Sequence, residues 1–224
     1  MAGQTITEKI MARNSGRDST SPGELVWADI NSIMTMDYLG KSTFNLFDKL
    51  GAKELFNRDK VICVSDHLVP PPTEAFANLL NEWRAEVKKH NVTYFYDFGK
   101  QGIAHQIMVE DGHVLPGTIS VGTDSHANTY GALGAVGNAV SVTDAVVAMA
   151  TGKLWFRVPE TVKFHITGEW QPWVMGKDLA MHIMNMMHWN GDLIYKALEY
   201  SGPAIDSLSM AGRITLCNMT VDLG

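Results

Sequence analysis

The sequence has 224 residues, 46% of them hydrophobic and 19% charged, with a formal net charge of −6. That length and composition exclude a disordered or collagen-like chain and suffice for one large domain, or one domain and the start of a second. The negative balance argues against a nucleic-acid partner, which needs a basic stripe, and no window approaches the ~18 continuous apolar residues of a membrane span.

The opening stretch MAGQTITEKIMARNSG lacks the apolar core of a secretory signal, so a cytoplasmic protein is expected. Within it, Thr5 and Glu8 have capping-box spacing and predict a helix from Thr5 to about Arg13. ELVWADI (24–30) reads as a strand, and two helical stretches are expected before Asn57. KVICVSDH (60–67) is a β-rich run closed by Asp-His and a triple proline, and an amphipathic helix follows over about 73–90. TYFYDFG (93–99) predicts the next strand, the region 103–110 a helix carrying His105, and TISVGTDSH (118–126) a third strand with a polar end. A Gly/Ala-rich stretch then leads into a helix stopping near Gly152.

Strand–helix alternation of this kind predicts an α/β fold, with a parallel-rich mixed sheet flanked by helices. After Pro159 the pattern changes, so residues 1–158 are expected to form a first domain and 159–224 the start of a second, similar and incomplete one. That second part reads as a strand at 162–168, helices over 176–189 and 192–200, and a strand opening RITLCNMTVDLG, where the chain reads as truncated.

Three polar clusters fall where strands are expected to end: Ser65-Asp66-His67, GIAHQ (102–106) with His105, and Gly122-Thr123-Asp124-Ser125-His126. In an open α/β sheet the carboxyl ends of strands line one crevice, so loops distant in sequence can converge there. An imidazole paired with a carboxylate is held in one tautomer, and its basicity rises, which suits proton transfer to a leaving hydroxyl. A mixed N/O metal cage built from Asp66, His67, His105, Asp124 and His126 is the competing reading, ranked lower because no H-E-x-x-H-type spacing supports it. Gly131, Gly134 and Gly137 have the wrong spacing for a phosphate loop. Met181, Met184, Met186 and Met187 read as core filler, and His182 and His188 as surface or interface residues. Cys63 and Cys217 each sit in an apolar run and read as buried thiols.

The stretches TITEKIMARNSG, SDHLVP, QGIAHQIMVEDGHVLPG, VGTDSHANTYGALGA, MATGKLWFRVPETVKFHITG and GRITLCNMTVDLG together resemble the large subunit of the aconitase superfamily. The branch is that of 3-isopropylmalate dehydratase and homoaconitase. The resemblance implies a hydro-lyase that isomerises a hydroxy-di- or tricarboxylic acid through an unsaturated intermediate, with a [4Fe–4S] cluster as Lewis acid in the complete enzyme. It implies that Asp66 and His67 protonate the departing hydroxyl, that His105 pairs with Asp124 and His126 with Asp222, that Ser125 contacts substrate, and that Asn218 lies near the cluster. Asp37 is expected to line the substrate site.

Two departures stand out: Asp222 replaces the family's usual glutamate, and Met36 replaces a glutamine or histidine. None of the cluster's cysteine ligands is in this chain, because two thiols fall short of the set and neither lies in its motif. The partners implied are the substrate acid, a small subunit or swivelling domain, and a complementing chain with the cluster cysteines. Three readings remain open: a fragment or split subunit of such a hydro-lyase, with homoaconitase- or aconitase-type specificity as a variant; a non-catalytic remnant or regulatory partner; and a cluster-free metal enzyme using the same Asp/His set.

Overall fold

A computed structural model describes residues 3–187 and 191–223. Five parallel strands form the main sheet: β2 (Ser32–Met36), β3 (Val61–Val64), β4 (Tyr94–Tyr96), β5 (Ile119–Gly122) and β6 (Val136–Ala139), in the order β4-β3-β2-β5-β6. The chain builds outward from β2 to one edge and then returns to build the other, so the order reverses between β2 and β5. That reversal opens a crevice beyond the carboxyl ends of the strands.

Both faces of the sheet are covered, and this explains the strand sequences. Ile33, Val61, Cys63, Ile119 and Val121 point into one core with Phe44, Phe47, Trp83 and Met149. Their neighbours Met34, Met36, Ile62 and Val64 point into the opposite core with Met108, Ala127 and Tyr130. A strand buried on both sides carries no polar alternation. SIMTM, all five residues buried, accordingly gave no strand signal, and the expectation of two helices before Asn57 is corrected to β2 followed by one helix, α2 (Asp37–Lys49).

The helices follow local rules more closely. In α1 (Ile6–Asn14) the Thr5 hydroxyl accepts from the Glu8 N–H while the Glu8 carboxylate accepts from the Thr5 N–H, the expected capping box. Thr73 caps α3 (Glu74–Lys89), whose Leu80, Trp83 and Val87 make the buried stripe at i, i+3 and i+7. After α4 (Ala104–Glu110), Ser141 caps α5 (Val142–Thr151), which ends on Gly152 in the left-handed conformation, as the sequence indicates.

Asp48 of α2 and Glu86 of α3 approach His90, which stacks on Phe44 with ring centroids 4.8 Å apart. The Lys89 ammonium already donates to both carboxylates, so this group holds its own cation.

Strand β1 (Leu25–Asp29) pairs antiparallel with β7 (Lys153–Arg157) as a separate ribbon. Beyond Pro159, β8 (Thr161–His165) pairs in parallel with β9 (Ala197–Ser201). The helix expected over 192–200 is therefore a strand in its second half, because the register with β8 overrides the helix preference of Ala-Leu-Glu. The expected strand at RITLC is α8 (Met210–Asn218), capped by Ser209 and preceded by the short α7 (Pro203–Ser207). Helix α6 (Gly176–Met186) ends before residues 188–190, and His188 lies outside the described residues. His182 is exposed, as expected. Of the four methionines read as core, Met184 is buried, whereas Met181 and Met186 face solvent.

Candidate active site

The residues at the carboxyl ends of β2, β3 and β5 and at the start of α4 meet in the crevice. Asp124 follows β5 and caps a 3₁₀ segment, Ser125–Leu133, by accepting from the His126 N–H at 2.8 Å. The same oxygen, Oδ1, lies 2.6 Å from His105 Nε2 and 3.6 Å from His126 Nδ1. Its other oxygen, Oδ2, lies 3.9 Å from His67 Nε2. Three imidazoles, from the loop after β3, from α4 and from the 3₁₀ segment, thus surround one carboxylate that is 15% exposed. The sequence pointed to three separate Asp–His pairs; the folded arrangement is a hub.

The pKa of Asp124 is held down to about 2, chiefly by the His105 hydrogen bond, with burial opposing it and the His126 N–H adding to it. An ionised carboxylate can only accept, so His105 donates to it through Nε2. Among the described residues, His105 Nδ1 is buried without a hydrogen-bond partner, as is the hydroxyl of Tyr130, whose ring lies 5.9 Å away.

The depressed pKa links Asp124 to stability. An unfolded aspartate titrates near ~3.9, so the contribution is complete above that pH and disappears as pH falls toward 2; with solvent screening it amounts to about 1–2 kcal/mol. Urea denaturation should therefore show the stability advantage of wild type over Asp124→Asn shrinking by that amount between about pH 5 and pH 2. A constant difference across the range would contradict the linkage.

His67 is the most open of the three imidazoles, 47% exposed, with Nδ1 3.8 Å from Asp66 Oδ2 and its ring stacked against Tyr38. Asp66 itself accepts from the Ala104 N–H at 2.9 Å, fixing the first turn of α4 and hence the position of His105. Ser65, the first member of its cluster, turns away: its hydroxyl donates to Asp97 at 3.2 Å, and Asp97 is gripped by Arg84 through Nε at 2.5 Å and Nη2 at 2.9 Å. Ser125 lies beside the hub with its hydroxyl 3.1 Å from His126 Nδ1.

Three further expected residues make contacts of their own. Asp37 is fully buried beneath the loop 66–68. Asn218 donates to the Thr129 hydroxyl at 2.9 Å, and Thr129 donates to the His126 carbonyl at 2.6 Å, so Asn218 braces the 3₁₀ segment against α8. Asp222 is exposed, and among the described residues it makes no ion pair with His126, whose neighbours are Asp124 and Ser125. Asn128 also ties the segment to α8, donating to the Cys217 carbonyl at 2.9 Å. Thr129, Asn128 and Tyr38 escaped the sequence reading, because none sits in a His or carboxylate cluster.

Close approach beneath the hub depends on Gly137 of β6, where a Cβ would fall 2.3 Å from the Ala127 carbonyl oxygen. Any side chain there would push the segment carrying His126 off the sheet.

No three donor atoms among Asp66, His67, His105, Asp124 and His126 lie within 4.8 Å of one another; among the described residues only Asp48, Glu86 and His90 do. The mixed metal cage is not formed. The thiols do not fit an iron–sulfur cluster either. Cys63 lies fully buried in β3, where burial pushes its thiol well up, and Cys217 on α8 is pushed up to about 12 by burial, so both are protonated, and they are two where at least three thiolates are required. No described helix is long and apolar enough to cross a membrane.

The profile of the aconitase family (aconitate hydratase) matches residues 8–224. Curated relatives include the 3-isopropylmalate dehydratase large subunit 1 of Pyrococcus abyssi, 42% identical over 222 residues that cover 99% of this chain and 52% of the relative. The 3-isopropylmalate dehydratase large subunits of Syntrophus aciditrophicus and Thermodesulfovibrio yellowstonii are 40% and 39% identical, again over 99% of this chain and 53% and 52% of their own length. The chain spans about half the length of the curated relatives it matches. With a match running through the α/β sheet and all three polar clusters, the chain belongs to the aconitase family.

Proposed function

We propose that this chain contributes the acid–base crevice of a hydro-lyase acting on 3-isopropylmalate or a closely related hydroxy-di- or tricarboxylic acid. The observation that carries the reading is the convergence of His67, His105 and His126 on Asp124, in a chain about 40% identical to dehydratase large subunits.

Dehydration of a hydroxy acid needs a proton delivered to the departing hydroxyl. His67 is the open imidazole, with carboxylate oxygens 3.8 and 3.9 Å from its two nitrogens. In this reading its acid form gives that proton, with Asp66 and Asp124 beside the ring to offset the charge. His105, more deeply set and locked by Asp124, orients the hub, while His126 and Ser125 line its rim.

In this reading the [4Fe–4S] cluster is held by thiolates outside these 224 residues, supplied by a further segment or a complementing chain, and a small subunit or swivelling domain closes the crevice. Residues 1–158 then form the first domain of the large subunit and 159–224 the beginning of the second; the separate β8–β9 sheet supports that division. Two free, unpaired thiols fit a reducing cytoplasmic setting, and the reaction would serve leucine biosynthesis.

The test is turnover by the complete large subunit with its partner subunit, reconstituted anaerobically and offered 3-isopropylmalate, homocitrate and citrate separately. Preferred conversion of 3-isopropylmalate, with His67→Ala lowering kcat by about two to four orders of magnitude, is expected. Turnover of none of the three acids, or full activity in His67→Ala, would refute it.

A further inference from the structure

We propose that Asp37 is a positioning residue: its carboxylate holds the backbone of residues 66–68 so that Asp66 and His67 face opposite partners across the crevice. The proposal rests on the acid–base reading above and assigns Asp37 a place under the site instead of against the substrate.

Asp37 is the first residue of α2, immediately after β2, and none of it is exposed. A carboxylate taken out of water needs its lone pairs met by donors. Here they are met by backbone alone. Oδ2 accepts from Asp66 N–H at 3.0 Å and Leu68 N–H at 2.9 Å, while Oδ1 accepts from His67 N–H at 3.1 Å and Tyr38 N–H at 2.8 Å. Both oxygens are engaged, which leaves nothing to offer a substrate.

Three consecutive N–H groups converging on one anion fix the path of a loop that no strand or helix holds. The consequence lies at the side chains. With its backbone pinned, Asp66 reaches across to the Ala104 N–H at 2.9 Å, and His67, one residue on, reaches Asp124. A carboxylate at the start of α2 thus sets the loop after β3, a carboxylate from that loop sets α4, and His105 of α4 closes on Asp124 after β5. Asp37 stands first in this chain of contacts.

Asp37→Asn replaces one acceptor oxygen by an amide that points hydrogens at two of the four N–H donors. Hydrogen exchange on the full chain gives the first readout. In wild type the amides of residues 66, 67 and 68 should exchange about as slowly as those of β3, although they lie in a loop. Free exchange at those amides in wild type would end the proposal without any variant. In Asp37→Asn they should exchange at least about tenfold faster while the β3 amides at 61–64 keep their protection.

The second readout is steady-state turnover of the complete enzyme carrying Asp37→Asn. A positioning role lowers kcat, by about ten- to a hundredfold, and leaves KM within about twofold. A rise in KM with kcat preserved would make Asp37 a substrate-lining residue and overturn the proposal. If wild-type enzyme itself turned over none of the acids, the functional reading would fall, while the exchange result would still decide whether Asp37 holds the loop.

Discussion

Asp124→Asn is expected to cost the complete enzyme about two to four orders of magnitude in kcat, more than any single change on the rim of the crevice. Asparagine serves as well as aspartate at a helix N-terminus, so the hydrogen bond from the His126 N–H and the 3₁₀ segment behind it should survive. What disappears is the charge. His105 loses the charged acceptor that orients its Nε2, and His67 loses one of the two carboxylates beside its ring nitrogens. Steady-state kinetics paired with a circular dichroism spectrum checks both halves. A variant that keeps the wild-type spectrum and more than about a tenth of the wild-type kcat would show that the hub is structural. Ser125→Ala, by contrast, removes a hydroxyl that hydrogen-bonds the rim histidine and should fall well short of that loss.

The second large effect concerns stability and runs against helix propensity. Gly40→Ala in the first turns of α2 would gain about 1 kcal/mol on an isolated helix. In this fold a Cβ at position 40 lies 1.9–2.3 Å from three atoms of the Trp83 ring. Trp83 is fully buried, tilted against Phe44 at 5.7 Å and edge-on to Phe95 at 6.0 Å, so the ring has nowhere to go. Overpacking of this kind should destabilise the protein by about 2–3 kcal/mol, read as a lowered urea midpoint at unchanged slope. Trp83→Leu alone should also destabilise, by leaving a cavity. Combined with Gly40→Ala it should cost less than the sum, because the smaller side chain makes room for the methyl. Strict additivity of the two changes would show that the ring and the helix do not meet as described.

Both effects depend on how far each region could be read from sequence. Helix ends were legible because caps are local: Thr5 with Glu8, Thr73, and Gly152 each act within a few residues of themselves. Strands β1, β3, β4, β5 and β8 were legible from short β-rich runs with polar ends. β2 was not, since a central parallel strand is buried on both faces and SIMTM has no alternation to betray it. β9 and α8 were exchanged for their opposites because ALEYS and RITLC have intrinsic preferences weaker than the pairing with β8 and the cap at Ser209.

The same division runs through the site. The sequence alone determined which chemistry is present: carboxylates and imidazoles gathered at strand ends, two apolar thiols, and motifs that place the chain in its family. Those features are local, and their meaning does not depend on neighbours far along the chain. Only the tertiary structure decided who meets whom. The strand order β4-β3-β2-β5-β6 sets the loops after β2, β3 and β5 side by side. That adjacency makes Asp124 the shared partner of three histidines, sends Asp37 beneath the loop, and turns Asn218 into a brace for the 3₁₀ segment. The contacts of Asp37 with the loop and of Asn218 with Thr129 join residues 29 to 89 positions apart. No local periodicity encodes them, because they follow from the sheet register and from the need of buried polar groups to find donors.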